Sequence, residues 1–329
     1  MTAAQSVWPV TYERVLAARE RLRPHLSPSA LRAYAPLDVA VGPDLRLWVK
    51  HENLNPTGAF KVRNALSVLT TLSETERGRG VVAATRGNHG LGLAWAGVRL
   101  GAPVTVCVPL GNNPDKNRAM RGLGATVIEE GRDYDEAVLV ADRLVRERGL
   151  TLVHSTNHPE IVAGAATLTL EMLEERPEIE ALVMAVGGGS QAVGALTVAR
   201  AIRPQVAVYA VQAAGASAIH DSWHAGRLLS TPSADTFADG LATRNAYPFT
   251  FGALREGLAG FVAVSDAEIA EAIRILLSTT HTLVEGAGAA GLAGVLRLRE
   301  KLAGKTVGIV ASGANIDLPT LRRVVSGEL

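Results

Sequence analysis

The chain has 329 residues and a formal net charge of +1, with 47% hydrophobic residues, 4% aromatic residues and a single cysteine. Cores tend to split beyond roughly 250–300 residues, so about two domains with a cleft between them are expected. The scattered charge argues against a face that binds a nucleic-acid phosphate backbone or a basic membrane patch, so neither nucleic acid nor membrane is an expected partner, and one cysteine excludes an internal disulfide.

The start, MTAAQSVWPVTYERVLAARERLRP, lacks the apolar segment of a signal peptide, and no uninterrupted apolar run of about 18 residues follows, so a cytoplasmic enzyme is the expectation. The first sharp feature is NPTGAFKVRN, residues 55–64, which sets Lys61 behind a proline-bearing turn and beside Phe60. Lysines are scarce, five against 28 arginines, which makes one in a Gly-Ala-Phe context notable. Lys61 is either a charge at a helix start or a reactive amine, since burial beside Phe60 would lower its pKa toward the nucleophilic form that makes a Schiff base. Lys50 and Lys116 read as ordinary strand-end or surface lysines, and Arg63 and Asn64 as helix-start residues.

From residue 80 the chain repeats a β-branched run, a glycine-rich turn and an amphipathic stretch, which predicts βαβ units and mostly parallel sheets. Strands are expected at 80–84, 103–109, 125–130 and 151–154, with helices beginning near Asn88, Pro114 and Asp133. Cys107 falls inside the second of these strands and reads as a buried strand residue. A second series places strands at 181–186, 206–212 and 306–312 and helices near 159–176, 190–202, 266–279 and 286–298. Its strands are near-continuous apolar runs, as expected when both sheet faces are covered.

Three turns at strand ends are candidate anion sites. AVGGGSQAVGAL places Gly187, Gly188, Gly189 and Ser190 between a strand and a helix, where backbone N–H groups and the helix dipole can hold a phosphate. No Gly-Lys-Ser/Thr follows and the spacing is not G-x-G-x-x-G, so it is neither a P-loop nor the usual dinucleotide fingerprint; a purely structural turn would use the same glycines. ATRGNHG carries Thr85, Arg86, Gly87, Asn88 and His89 into a helix and suits a carboxylate, while VASGANID carries Ser312. Asn88 and Ser312 also read as helix caps, and His89 as a hydrogen-bonded turn residue. The turns fall at the strand ends where parallel sheets bind ligands. The aperiodic segment 230–249, rich in Ser, Thr, Pro and Gly, reads as a functional loop. His220 and His224 stand four apart with no third ligand nearby and read as a solvent-facing pair, not a metal site.

These residues together resemble the fold-type II pyridoxal-phosphate enzymes, and within them the serine/threonine dehydratase and serine racemase group, over roughly residues 26–320. GAFKVRN matches the family's Gly-Ser-Phe-Lys-x-Arg motif, Gly87-Asn88-His89 its Gly-Asn-His turn, and Gly187–Ser190 its phosphate cup; ADGLA (238–242), EGAGAAGLA (285–293) and SGANID (312–317) complete the set. The resemblance implies an α/β fold of two open, mostly parallel twisted sheets flanked by helices, with pyridoxal 5'-phosphate in the interdomain cleft. It implies a large domain of residues 1–79 and 158–329, a small mobile domain of residues 80–157, and a homodimer. It makes Lys61 the Schiff-base lysine, places Phe60 and Asn88 against the cofactor ring and Ser312 at its pyridine nitrogen, and adds Gly240 and Glu285 to the cofactor-binding residues. Thr85, Arg86, Gly87, Asn88 and His89 would bind the substrate. A hydroxyl, rather than a carboxylate, at the pyridine nitrogen makes a weaker electron sink and favours β-elimination. The implied reaction is α-proton abstraction by Lys61 and loss of the β-hydroxyl from an amino acid such as L-threonine or L-serine, giving a 2-oxo acid and ammonia. Phenylserine, 3-hydroxyaspartate and β-replacement chemistry are alternatives, as is a regulatory protein that binds the cofactor without turnover.

The chain departs from the family at five positions. Arg86 stands where the racemases carry serine and typical dehydratases alanine, and a guanidinium with pKa above about 12 cannot shuttle a proton, so racemisation is disfavoured. Gln212 and Ala218 replace the carboxylates of the family's divalent-cation site, so no such site is expected. Ala59 replaces the serine before Phe60, and Ala314 the second glycine of the Ser-Gly-Gly-Asn turn.

Overall fold

The computed structural model describes residues 7–42, 44–132 and 134–329. Ten strands are present among them: β1 (Leu31–Ala33), β2 (Arg46–His51), β3 (Val81–Ala84), β4 (Val104–Val108), β5 (Thr126–Glu129), β6 (Thr151–Leu152), β7 (Ala181–Ala185), β8 (Ala207–Ala213), β9 (Gly260–Val264) and β10 (Thr306–Ala311). They form a six-stranded sheet in the order β1-β2-β10-β7-β8-β9 and a four-stranded sheet in the order β5-β4-β3-β6. Every pairing is parallel except β1 with β2. The two open, mostly parallel sheets flanked by helices are the α/β architecture expected from the sequence.

The apolar runs explain themselves once both faces of each sheet are followed. In the larger sheet Val183, Val211 and Ile309 face a core containing Leu276, Leu292 and Val284, while Leu182, Met184, Val208 and Val310 face another containing Val162, Leu168 and Val193. Successive side chains thus bury on opposite faces, which demands apolar residues at every position. The smaller sheet repeats this, with Val81, Val104 and Val106 on one face and Val82, Ala84 and Cys107 on the other. Cys107 is fully buried, and loss of solvation there pushes its thiol up to about 11. Val62, Leu66 and Leu69 of helix Lys61–Leu69 share the core of Val81 and Val104, and the lysine-bearing helix packs against helices Asn88–Leu100 and Pro159–Glu175.

From residue 80 the expected strands lie in place with their ends moved by a residue or so, and β6 shortened to two residues. Helices start at Asn88 and Pro114 as expected; the third expected start, Asp133, lies outside the described residues, and that helix is described from Tyr134 to Arg148. The helix start expected at Lys61 is present, as Lys61–Leu69, whereas the sequence pattern did not reveal β1, β2, β9 or the other helices before residue 80. In β2, RLWVKH, the charged Lys50 masks the strand signal, yet it is fully buried because Glu171 lies 2.6 Å from its Nζ. Among the described residues no helix is long and apolar enough to cross a membrane.

Candidate active site

The turn before Lys61 is tied to the turn after β10. Gly58, at φ 66°, closes a tight turn in which its N–H donates to the Asn55 carbonyl at 2.7 Å. Phe60 N donates to Ser312 O at 3.0 Å and Ala314 N to Gly58 O at 2.8 Å, flanking an isolated bridge between Ala59 and Gly313. Lys61 then opens helix Lys61–Leu69, with its Nζ 5.0 Å from the Phe60 ring centroid and 3.4 Å from the Ser155 carbonyl oxygen. Burial lowers its amine to about 8, within reach of the uncharged, nucleophilic form near neutral pH.

Arg63 is more than a helix-start residue, because it is 2% exposed and sits between two carboxylates. It donates to Glu52 at 2.8 and 2.9 Å, to Glu171 at 2.6 and 2.9 Å and to the Thr167 hydroxyl at 3.0 Å. Desolvation acts to raise the Glu52 carboxyl, but the Arg63 charge and hydrogen bonds overcome it and hold Glu52 below its ordinary value. Lys50 completes the group through Glu171, so it too is a buried ion-pair partner and not an ordinary strand-end lysine. Two bases and two acids thereby anchor the Lys61 helix to β2 and to helix Pro159–Glu175.

The Gly187–Ser190 turn follows β7 and opens helix Ser190–Ile202. A Cβ on Gly187 would collide with the Gly240 carbonyl, and one on Gly188 with the Thr156 hydroxyl; Gly189 has φ 97°. Glycine is required at each, which leaves bare N–H groups at a helix N-terminus. Beside them the buried Gln191 Nε2 has no hydrogen-bond partner. A ligand with an anionic group fits this set of unused donors.

The β3 turn holds Thr85 through His89. Asn88 is not a helix cap: Gly87 occupies that position, with its N–H donating to Thr85 Oγ1 at 3.1 Å. The Asn88 amide donates to Glu285 Oε1 at 2.5 Å and accepts from Asn315 at 2.7 Å, while burial raises the Glu285 carboxyl. His89 Nε2 pairs with the Val153 carbonyl at 2.9 Å, and desolvation, followed by the Lys61 charge, lowers its imidazole to about 3. The ring is therefore neutral with its proton on Nε2, and the buried, unpartnered Nδ1 is an acceptor. The imidazole cannot donate to a substrate carboxylate; the backbone N–H groups of the first helical turn can. Ser312 is not a cap either, its hydroxyl donating to Ala287 O at 3.2 Å.

All these elements meet in a cavity of ≈ 360 Å³. Phe60 and Lys61 line it with Thr85, Arg86, Gly87, Asn88 and His89, and Gly187, Gly188, Gly189 and Ser190 line it from the facing turn. Gly240, Glu285 and Ser312 complete the residues that the sequence singled out. The 230–249 loop contributes much of the wall, including Asp239, Asn245 and Tyr247. Tyr134 and Ser155 also line it and carried no sequence signal, since each lies in an ordinary helix or loop pattern. Lys116 is not an ordinary surface lysine: it lines the cavity with its side chain 11% exposed and its Nζ 2.6 Å from Asp239.

His220 and His224 are not simply a solvent-facing pair. Their ring centroids lie 4.4 Å apart, His220 packs edge-on to Phe261, and His224 Nε2 reaches the Phe261 carbonyl at 3.1 Å. Among the described residues no group of three or more His, Cys, Asp or Glu is gathered to hold a metal. Gln212 Oε1 accepts from the His220 backbone N–H at 2.9 Å, so this amide serves the start of helix Ala218–Ala225.

A buried amine, a glycine cup with unused donors and a ring-sized cavity between them are what pyridoxal phosphate requires. The family model described as "Pyridoxal-phosphate dependent enzyme" matches residues 22–313. The L-threonine ammonia-lyase of Thermotoga maritima is 37% identical over 320 residues, covering 97% of this chain and 79% of that protein. The L-threo-3-hydroxyaspartate ammonia-lyase of a Pseudomonas species is 32% identical over 317 residues, covering 96% and 99%. Maize serine racemase superposes with a TM-score of 0.91 at 28% identity, over 98% of each chain. This chain belongs to the pyridoxal-phosphate-dependent enzymes of fold type II, as a lyase of the threonine dehydratase type.

Proposed function

We propose that this enzyme is an ammonia-lyase for β-hydroxy amino acids, with L-threonine and L-serine as its simplest substrates, giving the 2-oxo acid and ammonia. The observation that carries the reading is the buried Lys61 amine, lowered to about 8, in one cavity with the Gly187–Ser190 turn. Lys61 would hold the cofactor covalently, the 187–190 N–H groups its phosphate, Phe60 and Asn88 its ring, and Ser312 its pyridine nitrogen, with Gly240 and Glu285 alongside. Bound there, pyridoxal phosphate supplies an electron sink for the α-carbon.

The chain's own residues then divide the work. Backbone N–H groups at the start of helix Asn88–Leu100 hold the substrate carboxylate, assisted by Thr85. The Lys61 amine takes the α proton at Nζ, and its lowered pKa keeps a useful fraction uncharged at neutral pH. Loss of the β-hydroxyl as water leaves an enamine that hydrolyses to the 2-oxo acid and ammonia. The Lys116–Asp239 pair joins the smaller-sheet side of the cleft to the 230–249 loop, and parting it would let a mobile small domain, residues 80–157, open the site. A cytoplasmic homodimer is the setting proposed for this chemistry.

The test uses Lys61→Ala. Wild type should carry a visible absorption band that borohydride reduction removes with the label retained on Lys61, and should release ammonia from L-threonine or L-serine. The variant should lose the label and at least about 10²–10⁴-fold in rate. Ammonia release by the variant at the wild-type rate would refute the assignment.

A further inference from the structure

We propose that Arg86 receives a second anionic group on the substrate's side chain, so that the enzyme favours β-hydroxy amino acids carrying a side-chain carboxylate. The inference rests on the ammonia-lyase reading and adds a substrate class to it.

Arg86 follows β3 and Thr85 and immediately precedes the turn whose N–H groups face the cavity. It lines that cavity and also an adjoining one of ≈ 310 Å³, with Asp239 the other residue common to both among those near the turn. The other cations of this rim are already matched. Lys116 pairs with Asp239 at 2.6 Å, Arg132 pairs with Glu136, and Arg244 is engaged within the protein. Arg86 has no hydrogen bond or ion pair with any described residue, and it is exposed to the cleft.

A guanidinium is permanently charged and presents a planar fork that matches a carboxylate through two parallel hydrogen bonds. Placed one residue before the α-carboxylate turn, it gives a dicarboxylic substrate a second anchor at the opposite end from the first. The same cavity is also lined by Tyr134, Ser155 and Asn245, whose hydroxyl and amide groups suit a charged side chain better than the methyl of threonine. A permanently protonated group cannot act as acid or base here, so the role left to it is binding.

The test compares kcat/KM of the holoenzyme for L-threonine, L-serine and threo-3-hydroxyaspartate in wild type, Arg86→Ala and Arg86→Lys. The expected result is preference for hydroxyaspartate in wild type, a loss of about 10–100-fold on that substrate in Arg86→Ala, partial recovery in Arg86→Lys, and a loss on threonine several-fold smaller than the loss on hydroxyaspartate. Calorimetric binding of malate, which has two carboxylates and no amine, reads the same contact without turnover: Arg86→Ala should weaken it at least about tenfold and leave lactate unchanged. Equal losses on threonine and hydroxyaspartate, or malate binding unchanged by the substitution, would overturn the proposal. If no β-hydroxy amino acid yields a 2-oxo acid, the ammonia-lyase reading fails, while the malate arm still decides whether Arg86 binds a second anion.

Discussion

Replacing Arg63 with methionine tests whether the buried charges behind Lys61 hold the active-site helix. Methionine keeps much of the side-chain length but removes every hydrogen bond that Arg63 makes to Glu52, Glu171 and Thr167. Glu171 keeps Lys50 at 2.6 Å, whereas Glu52, fully buried, keeps only Ser29 at 2.5 Å and Asn55 at 2.6 Å. Breaking a buried pair from one side costs about 3–5 kcal/mol, a large part of a usual stability of about 5–15 kcal/mol. Urea unfolding at pH 7 should therefore show a loss of about that size in Arg63→Met. Adding Glu52→Gln should recover part of it by removing the orphaned charge. The sign with pH follows from Glu52. Its folded-state value is lowered by Arg63, so its contribution is present above the unfolded value of 4.5 and fades as pH falls through the folded one. The gap between wild type and Arg63→Met should therefore be widest at neutral pH and narrow below the ordinary carboxylate range. A loss under about 1 kcal/mol at pH 7, or no recovery in the double variant, would refute the reasoning.

Two further outcomes follow from the same site. In cofactor-free protein, pulse acetylation read by mass spectrometry should label Lys61 with a midpoint near 8; a midpoint at the ordinary value of 10.5 would show that burial does not activate the amine. Gly187→Ala drives a methyl into the Gly240 carbonyl, and overpacking of about 1–3 kcal/mol should weaken pyridoxal-phosphate binding about 5- to 150-fold in a fluorescence titration. Unchanged affinity would mean that the turn yields without cost.

Much of the fold was legible because the parallel strands from residue 80 are apolar at every position and glycine turns follow them. Hydrophobic period and backbone freedom are local properties, so they survive in a one-dimensional reading. The candidate site was legible for the same reason, since Lys61, the Asn88 turn and the Gly187–Ser190 turn each announce themselves within a few residues. The sequence by itself therefore determined the α/β class, the strand-end turns and the amine among them.

What it did not determine lies in contacts between distant segments. Lys50, Arg63 and Lys116 look alike as cations at ordinary positions, and only the fold pairs them with Glu171, Glu52 and Asp239, which are 121, 11 and 123 residues away along the chain. β2 escaped detection because its buried charge is neutralised by a partner on helix Pro159–Glu175. The acceptor-only face of His89 depends on a carbonyl 64 residues on, at Val153, and on burial. Burial and charge pairing are properties of the assembled chain: the dielectric around a group and the identity of its partner exist only after folding, so the tertiary structure alone decided which cations are spent in the scaffold and left Arg86 free to face the cleft.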